Sequence, residues 1–199
     1  MTLLAWLERL VYRLRGPLVA VPVIGAAFVP GGTEDGRLIA WGSGLLLFAI
    51  GWSVRIWAQR HLGYRLDRAM KLTRCGPHAY VRNPIYLANT AMALGAVAAC
   101  GSVVLLPVTL VWVMGVYVVT VRHEEAALVR RYGEPYRRYL AEVPRWRPSW
   151  SASGEECGHR ALYDAVYAEL HTPLIMGPAA LKTMNLLSLA GLAHLRGMV

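Results

Sequence analysis

Uncharged stretches dominate the chain and are long enough to cross a membrane. Residues 16–33, 38–54 and 83–121 contain no Asp, Glu, Lys or Arg over 18, 17 and 39 positions. A membrane-spanning helix needs about 20 mostly apolar residues. The third stretch is about twice that length, so it predicts two helices joined by a tight turn at residues 99–102.

The pattern predicts an all-α, polytopic membrane protein with four or five spans and cytosolic C-terminal helices. The four predicted spans are residues 17–29, 38–57, 84–99 and 103–121. Pro17 and Pro22 weaken the first span, although a membrane helix tolerates proline where a neighbouring group binds the freed carbonyl. A cleaved signal peptide is the alternative for this first stretch.

Composition supports this prediction. Hydrophobic residues make up 56% of the 199 positions and charged residues only 17%, against roughly 25% charged in soluble domains. The net charge of +9 would suggest nucleic acid in a soluble protein. In an apolar chain, basic loops that face the cytoplasmic side explain the charge better, so we expect the lipid bilayer as the partner and no nucleic acid.

The arrangement of charge predicts the orientation. Arginines are concentrated before the first span, between the second and third spans, and after the fourth, whereas residues 34–37 carry two acids and one arginine. The positive-inside rule then places the N-terminus and the candidate active site in the cytoplasm. We expect an integral membrane protein of a bacterial inner membrane.

Beyond the fourth span, the sequence predicts short helices. Residues 122–132 continue the span, and Gly133 and Pro135 break the helix before another turn or two at 135–142. We divide the chain into a core, 1–148, and a linker with a membrane-associated helical extension, 149–199. In the extension, 161–170 predicts an amphipathic helix, and 173–195 either a fifth span or, as we favour, two short helices interrupted at Gly177.

One candidate patch lies at residues 74–86. Gly76 and Pro77 predict a turn, and Pro84 begins the third span, where proline costs no hydrogen bond. The free amides at this helix start favour an anion, and Arg82 beside them can bind a carboxylate through two hydrogen bonds. The alternative is that Arg82 and Tyr86 only anchor the helix at the membrane interface.

A second patch, residues 122–125, is predicted at the same membrane depth. Its carboxylates, Glu124 and Glu125, are costly at a membrane surface unless they meet a partner. The alternative is a solvated helix end, paired with Arg130 or Arg131. Together the two patches suit a zwitterionic amino-acid moiety.

These residues carry a resemblance to a known family. Residues 76–87, GPHAYVRNPIYL, resemble the G-P-Y-x-x-x-R-H-P-x-Y signature of the isoprenylcysteine carboxyl methyltransferases, which belong with the phospholipid N-methyltransferases. The other matching elements are RIWA at 55–58 with LG at 62–63, EEAAL at 124–128, YGEPYRRY at 132–139 and VPR at 143–145. The resemblance covers about residues 45–148.

The resemblance implies an integral-membrane methyltransferase that uses S-adenosylmethionine. Its candidate catalytic residues are Arg82 and Glu125. Its candidate cofactor-binding residues are His78, Tyr80, Arg82, Asn83, Pro84, Tyr86, Leu87, Glu124, Glu125 and Tyr136. Two positions depart from the signature: Asn83 replaces its histidine and His78 its tyrosine. Asparagine exchanges hydrogen bonds but cannot carry a proton as imidazole does.

The expected reaction is in-line methyl transfer to a lipidic or small apolar acceptor. A carboxylate or thiolate acceptor needs no further base, whereas an amine needs a proton acceptor, for which Glu125 or His78 would serve. A non-catalytic membrane scaffold and an NADPH-dependent membrane reductase are the alternatives. No metal site is expected, because His61, His78, His123 and His159 lack ligand spacing.

Overall fold

The computed structural model describes residues 3–29, 36–67, 72–150 and 158–183, and this part of the chain is helical. The helices are α1 (Leu3–Phe28), α2 (Arg37–Asp67), α3 (Pro77–Tyr80), α4 (Pro84–Ala99), α5 (Leu105–Tyr132), α6 (Glu134–Glu142), α7 (Leu162–Ala168) and α8 (Gly177–Thr183), with a 3₁₀ helix at Thr172–Met176. The predicted all-α fold is confirmed.

Three of these helices are long and apolar enough to cross a membrane. They are α1, within Trp6–Phe28, α2, within Arg37–Leu62, and α5. Helix α4 is apolar but has only 16 residues, and it lies packed between α2 and α5. We call the end of the bundle with Asn83 and Glu125 the motif end, and the end with residues 99–104 the hairpin end.

Helix α1 corrects the predicted first span, because it begins at Leu3 and not at Pro17. Pro17 and Pro22 lie inside the helix. The missing amide of Pro22 would leave the Leu18 carbonyl free, and the indole Nε1 of Trp112 donates to this oxygen at 2.8 Å. A neighbouring helix therefore satisfies the backbone group that proline frees, as membrane helices require.

Close packing between α2 and α4 depends on glycine. A Cβ atom built on Gly95 would lie 2.6 Å from the Gly44 carbonyl oxygen, and one on Gly51 would lie 2.7 Å from that of Ala88. Without these side chains the two backbones approach closely, which is how membrane helices commonly associate. The motif end of α4 is thereby held firmly against α2.

The predicted turns are confirmed. Helix α4 ends at Ala99, and Gly101 adopts a φ of 70° in the turn before α5. Helix α5 continues past the predicted span to Tyr132, where Gly133, with a φ of 61°, separates it from α6. Helix α2 likewise continues beyond the predicted end at residue 57 to Asp67.

The extension packs against the core. Helix α7 contacts α2, and α8 contacts α1 and α4. The predicted interruption at Gly177 is confirmed as the junction between the 3₁₀ helix and α8. The remainder of the predicted 173–195 segment, most of the linker and the loop at 30–35 lie outside the described residues.

Candidate functional site

The two predicted patches meet at the motif end in a buried cluster of charges. The carboxylate of Glu125 on α5 accepts hydrogen bonds from Arg145 Nε at 3.1 Å and Arg145 Nη2 at 2.5 Å. Arg82 Nη1 lies 3.2 Å from Glu125 Oε1. The Arg82 and Glu125 side chains are only 13% and 10% exposed. One carboxylate thus faces two guanidinium groups, so the cluster carries one net positive charge.

The segment after α6 holds this cluster in place through the backbone. The Arg82 amide donates to the Pro144 carbonyl at 3.0 Å, and Asn83 Nδ2 donates to the Arg145 carbonyl at 3.3 Å. The Asn83 side chain makes no capping hydrogen bond to α4. The Asn83 side chain thus fastens the segment that carries Arg145.

His78 on α3 is the buried histidine beside this cluster. The Tyr139 hydroxyl donates to its carbonyl oxygen at 2.7 Å and fixes α3 to α6. Burial lowers the pKa of His78 to about 4, with backbone hydrogen bonds to Arg82 and Ala58 acting in the opposite direction. The imidazole is therefore neutral at pH 7.

Two buried nitrogen atoms at the motif end have no hydrogen-bond partner among the described residues. They are Nε of Arg82 and Nε2 of His78. Leaving a buried polar group unpaired costs about 1–3 kcal/mol, so such atoms call for a partner that a ligand can supply. Both residues line the same cavity.

Tyr86 and Glu124 lie on the side of the cavity that faces α1. The Tyr86 hydroxyl interacts with the Glu124 carboxylate, and its ring packs against that of Tyr117 with centroids 4.6 Å apart. Arg15 of α1 interacts electrostatically with both Tyr86 and Glu124. Glu124 therefore has a partner across the bundle, unlike the solvated helix end considered as the alternative.

The cavity has a volume of about 980 Å³ and extends from the motif end along α1 and α4. Such a volume lies at the upper end of the range for small-molecule sites, about 300–1,000 Å³. Around the charged cluster, burial raises the pKa of Tyr136 above its usual value and keeps this phenol neutral. Among the described residues, no three His, Cys, Asp or Glu side chains group as a metal site would require.

Eight of the ten residues expected to bind the cofactor line this cavity. They are His78, Arg82, Asn83, Pro84, Tyr86, Glu124, Glu125 and Tyr136. Tyr80 and Leu87 do not belong to the lining. The Tyr80 ring instead packs near Trp57 and Trp150.

Several residues of the site were not predicted from the sequence. Arg145 lies in the VPR element but was not assigned a role, and the same holds for Arg55 in the RIWA element. Arg15, Asn89 and Tyr117 also line the cavity. No motif marks these three, because they come from different helices and meet only in the folded bundle.

Fold and site together define a helical membrane protein with a charged, ligand-sized cavity at one end of its bundle. Residues 39–135, just under half of the chain, match the family model for phospholipid methyltransferases. This segment is therefore similar to that family, which confirms the resemblance drawn from the motifs. It ends inside the YGEPYRRY element, so Tyr136 and the VPR element with Arg145 lie beyond it. No curated protein and no solved structure gives a significant match.

The family match supports a membrane methyltransferase. The apolar helices support an integral membrane protein.

Proposed function

We propose that this chain is an integral-membrane methyltransferase that uses S-adenosylmethionine and transfers its methyl group to a lipidic or small apolar acceptor. The observation that carries the proposal is the pair of buried, partnerless nitrogens, Arg82 Nε and His78 Nε2, beside a net positive cluster in the cavity. The family match supplies the reaction class.

The residues at the motif end fit the amino-acid part of S-adenosylmethionine. Its carboxylate suits Arg82, because Arg82 retains an unpaired N–H and the Arg82–Glu125–Arg145 cluster carries one net positive charge. Its ammonium group suits Glu124, which lines the same cavity. Opposite charges at the two positions favour this zwitterion over a simple anion.

The cavity volume supports a site for two ligands. About 980 Å³ exceeds what most single small ligands need, so cofactor and acceptor can be enclosed together. The apolar residues of α1 on one side, among them Val19, Val23 and Ile24, suit an acceptor that enters from the bilayer.

In the proposed reaction, S-adenosylmethionine supplies an activated methyl group on a sulfonium. The protein contributes orientation and the exclusion of water, which are its main means of lowering the barrier for a displacement. Arg82 binds and orients the carboxylate, and Glu125 positions Arg82. Both Glu125 oxygens are engaged by guanidinium groups, so we assign a positioning role to Glu125 in preference to proton transfer.

The acceptor determines whether a base is needed. A carboxylate or a thiolate reacts without one. For an amine, neutral His78 can accept a hydrogen bond at its free ring nitrogen, but with a pKa of about 4 it is a weak base. This distribution of roles favours an acceptor that is already a nucleophile at pH 7.

The motif end is proposed to face the cytoplasm of a bacterial inner membrane. The arginine-rich segments at 9–15 and 122–147 both belong to this end of the bundle, which is the arrangement that the positive-inside rule assigns to the cytoplasmic face. A cytoplasmic site also gives access to a soluble cofactor.

Calorimetry on the detergent-purified chain tests the cofactor. We expect S-adenosylhomocysteine to bind and NADPH not to bind. Glu124→Gln and Glu125→Gln should each weaken binding without unfolding the protein, because the amide keeps the shape of the carboxylate and removes its charge. Binding of NADPH alone would favour a reductase, and binding of neither ligand would favour a scaffold.

A methyl-transfer assay then identifies the acceptor. The probes are labelled S-adenosylmethionine with N-acetyl-S-farnesylcysteine, phosphatidylethanolamine vesicles or dodecanethiol, which offer a carboxylate, an amine and a thiol. We expect label in the carboxylate probe in preference to the amine, and in the thiol probe only as far as the thiol ionises. Transfer to the amine alone would contradict the assignment of roles above.

A further inference from the structure

A second buried ion pair, which shares no residue with the motif cluster, lies beside the cavity. Arg55 belongs to the membrane-spanning part of α2, and its Nε lies 2.6 Å from Oε2 of Glu169. Glu169 is 3% exposed. Charged residues at membrane depth are costly and typically mark function. Among the described residues, Arg55 and Glu169 form no hydrogen bond or ion pair with the Arg82–Glu125–Arg145 cluster.

This pair is the centre of a hydrogen-bonded network. Arg55 Nη1 donates to Asn89 Oδ1 at 2.6 Å, and Thr172 Oγ1 donates to Glu169 Oε2 at 2.6 Å. Arg55, Asn89 and Thr172 line the cavity, whereas Glu169 is not part of the lining. Glu169 therefore lies behind the cavity lining and holds two of the lining side chains, Arg55 and Thr172, in place.

The same network holds a stretch of the extension against the cavity. We define residues 169–178 as the C-terminal wall. From this wall His171, Thr172, Leu174, Ile175 and Pro178 line the cavity. Three of these five residues, Leu174, Ile175 and Pro178, are apolar, and Leu174 is 77% exposed and Ile175 37% exposed.

A second anchor fixes the far end of the wall. Lys182 Nζ donates to the carbonyl oxygens of Val29 at 2.6 Å, Cys100 at 2.7 Å and Ala26 at 3.1 Å. These carbonyls belong to the C-terminal ends of α1 and α4, where a cation is favoured by the helix dipole. The wall is thus fastened at Glu169 and at Lys182, so its position along the cavity is part of the fold.

The wall lies outside the segment that matches the phospholipid methyltransferases, which ends at residue 135. The cofactor motifs and the wall therefore come from different parts of the chain. The motif end has the unpaired polar atoms, and the wall has apolar side chains around a charge-balanced network. These surfaces suit different ligands.

On the basis of the proposed function, we propose that the C-terminal wall determines which methyl acceptor the cavity admits, and that Glu169 is the residue that positions it through Arg55 and Thr172. Loss of Glu169 should release the wall and leave the cofactor end unchanged. We therefore expect Glu169 variants to have a higher KM for the acceptor and an unchanged affinity for the cofactor.

The first measurement is the affinity of the full-length, purified chain for S-adenosylhomocysteine. The variants are Glu169→Ala and Glu169→Gln, with Asp164→Asn as an exposed control in the same extension. Glu169→Gln keeps a hydrogen-bond acceptor and serves if the alanine variant fails to fold. We expect all dissociation constants to stay within twofold of the wild-type value. A tenfold weakening in a folded Glu169 variant would overturn the inference, because the residue would then serve the cofactor.

The second measurement is kinetic and uses the acceptor probes named above. We expect the KM of the methylated probe to rise at least tenfold in Glu169→Ala and about threefold in Glu169→Gln, with kcat within threefold and Asp164→Asn unchanged. A merely structural role would lower the amount of active enzyme, and hence kcat, without moving KM. An unchanged KM in folded Glu169 variants overturns the inference.

Amide hydrogen exchange provides a readout that does not need turnover. We expect S-adenosylhomocysteine to protect residues 78–86 and not residues 169–178. Protection of the wall by this ligand would overturn the inference even if no probe is methylated. Failure of the wild type to bind S-adenosylhomocysteine would instead contradict the proposed function, so the two failures are distinguishable.

Discussion

Arg82 offers the sharpest test of the cofactor site. Its Nη1 lies 3.2 Å from Glu125, while its Nε is buried and has no partner among the residues that the structure describes. We expect Arg82→Ala to remove one charge-assisted hydrogen bond to the ligand carboxylate, worth about 1.5–3 kcal/mol. Because about 1.4 kcal/mol corresponds to a tenfold change, affinity for S-adenosylhomocysteine should fall at least tenfold.

The fold should survive this substitution. Glu125 keeps its two hydrogen bonds from Arg145, so no buried carboxylate is left without a partner. Arg82→Lys should fall between the wild type and Arg82→Ala, because lysine keeps the charge and loses the planar, two-pronged donor geometry of arginine.

The matched control is Arg138→Ala on α6. Its side chain is 70% exposed and lies 3.5 Å from Glu134, and exposed pairs of this kind contribute about 1 kcal/mol or less. Calorimetry with S-adenosylhomocysteine on purified, folded variants is the assay. If Arg82→Ala and Arg138→Ala both bind within twofold of the wild type, Arg82 is an interface anchor and the cofactor site must be redrawn.

Three further predictions concern packing, pH and the departure from the family signature. Gly95→Ala should lower the unfolding temperature, because its Cβ would lie 2.6 Å from a carbonyl oxygen of α2. Gly115→Ala, whose Cβ would have no atom within 4 Å, should leave the unfolding temperature equal or raise it. An unfolding temperature of Gly95→Ala equal to that of the wild type would contradict the packing argument. Burial lowers the pKa of His78 to about 4, so its contribution to stability is complete above about pH 6.5 and about 3 kcal/mol is lost as pH falls towards 4. Thermal unfolding of wild type and His78→Gln between pH 4 and 7 checks this, and parallel profiles would refute it. Asn83→His, which can still donate to the Arg145 carbonyl, should bind S-adenosylhomocysteine normally, and Asn83→Ala should bind it a few times more weakly; equal affinities would show that the Asn83 hydrogen bond is dispensable.

Local features of the sequence determined most of the helical framework. The uncharged runs predicted the all-α membrane fold, and Asn83–Pro84, residues 99–102 and Gly133 marked where helices begin and end. Such signals can be found in the sequence because proline and glycine act through their own backbone. The order of the motifs then predicted that Arg82, Tyr86, Glu124 and Glu125 lie together, and all four line one cavity.

Helix lengths required the tertiary structure. The uncharged run that begins at residue 16 indicated a late start for the first span, and Pro17 and Pro22 weakened it. Trp112, 94 residues from Leu18 in the chain, supplies the donor for the freed carbonyl of Leu18. Arg55 lies inside the membrane-spanning part of α2 and pairs with Glu169, 114 residues away in the chain. In each case the partner that satisfies a polar or charged group is distant in the chain, and no short stretch of sequence contains both residues.

The division of labour within the site also depended on the fold. The sequence offered Glu125 as a candidate catalytic group, but two guanidinium groups occupy its oxygens. Asn83 was a candidate cofactor-binding residue, and the fold shows that its side-chain amide already donates to the Arg145 carbonyl. The C-terminal wall had no motif to reveal it. A sequence specifies which chemical groups are available, whereas the folded chain decides which of them are already paired, and a polar atom is free to bind a ligand only where that pairing is incomplete.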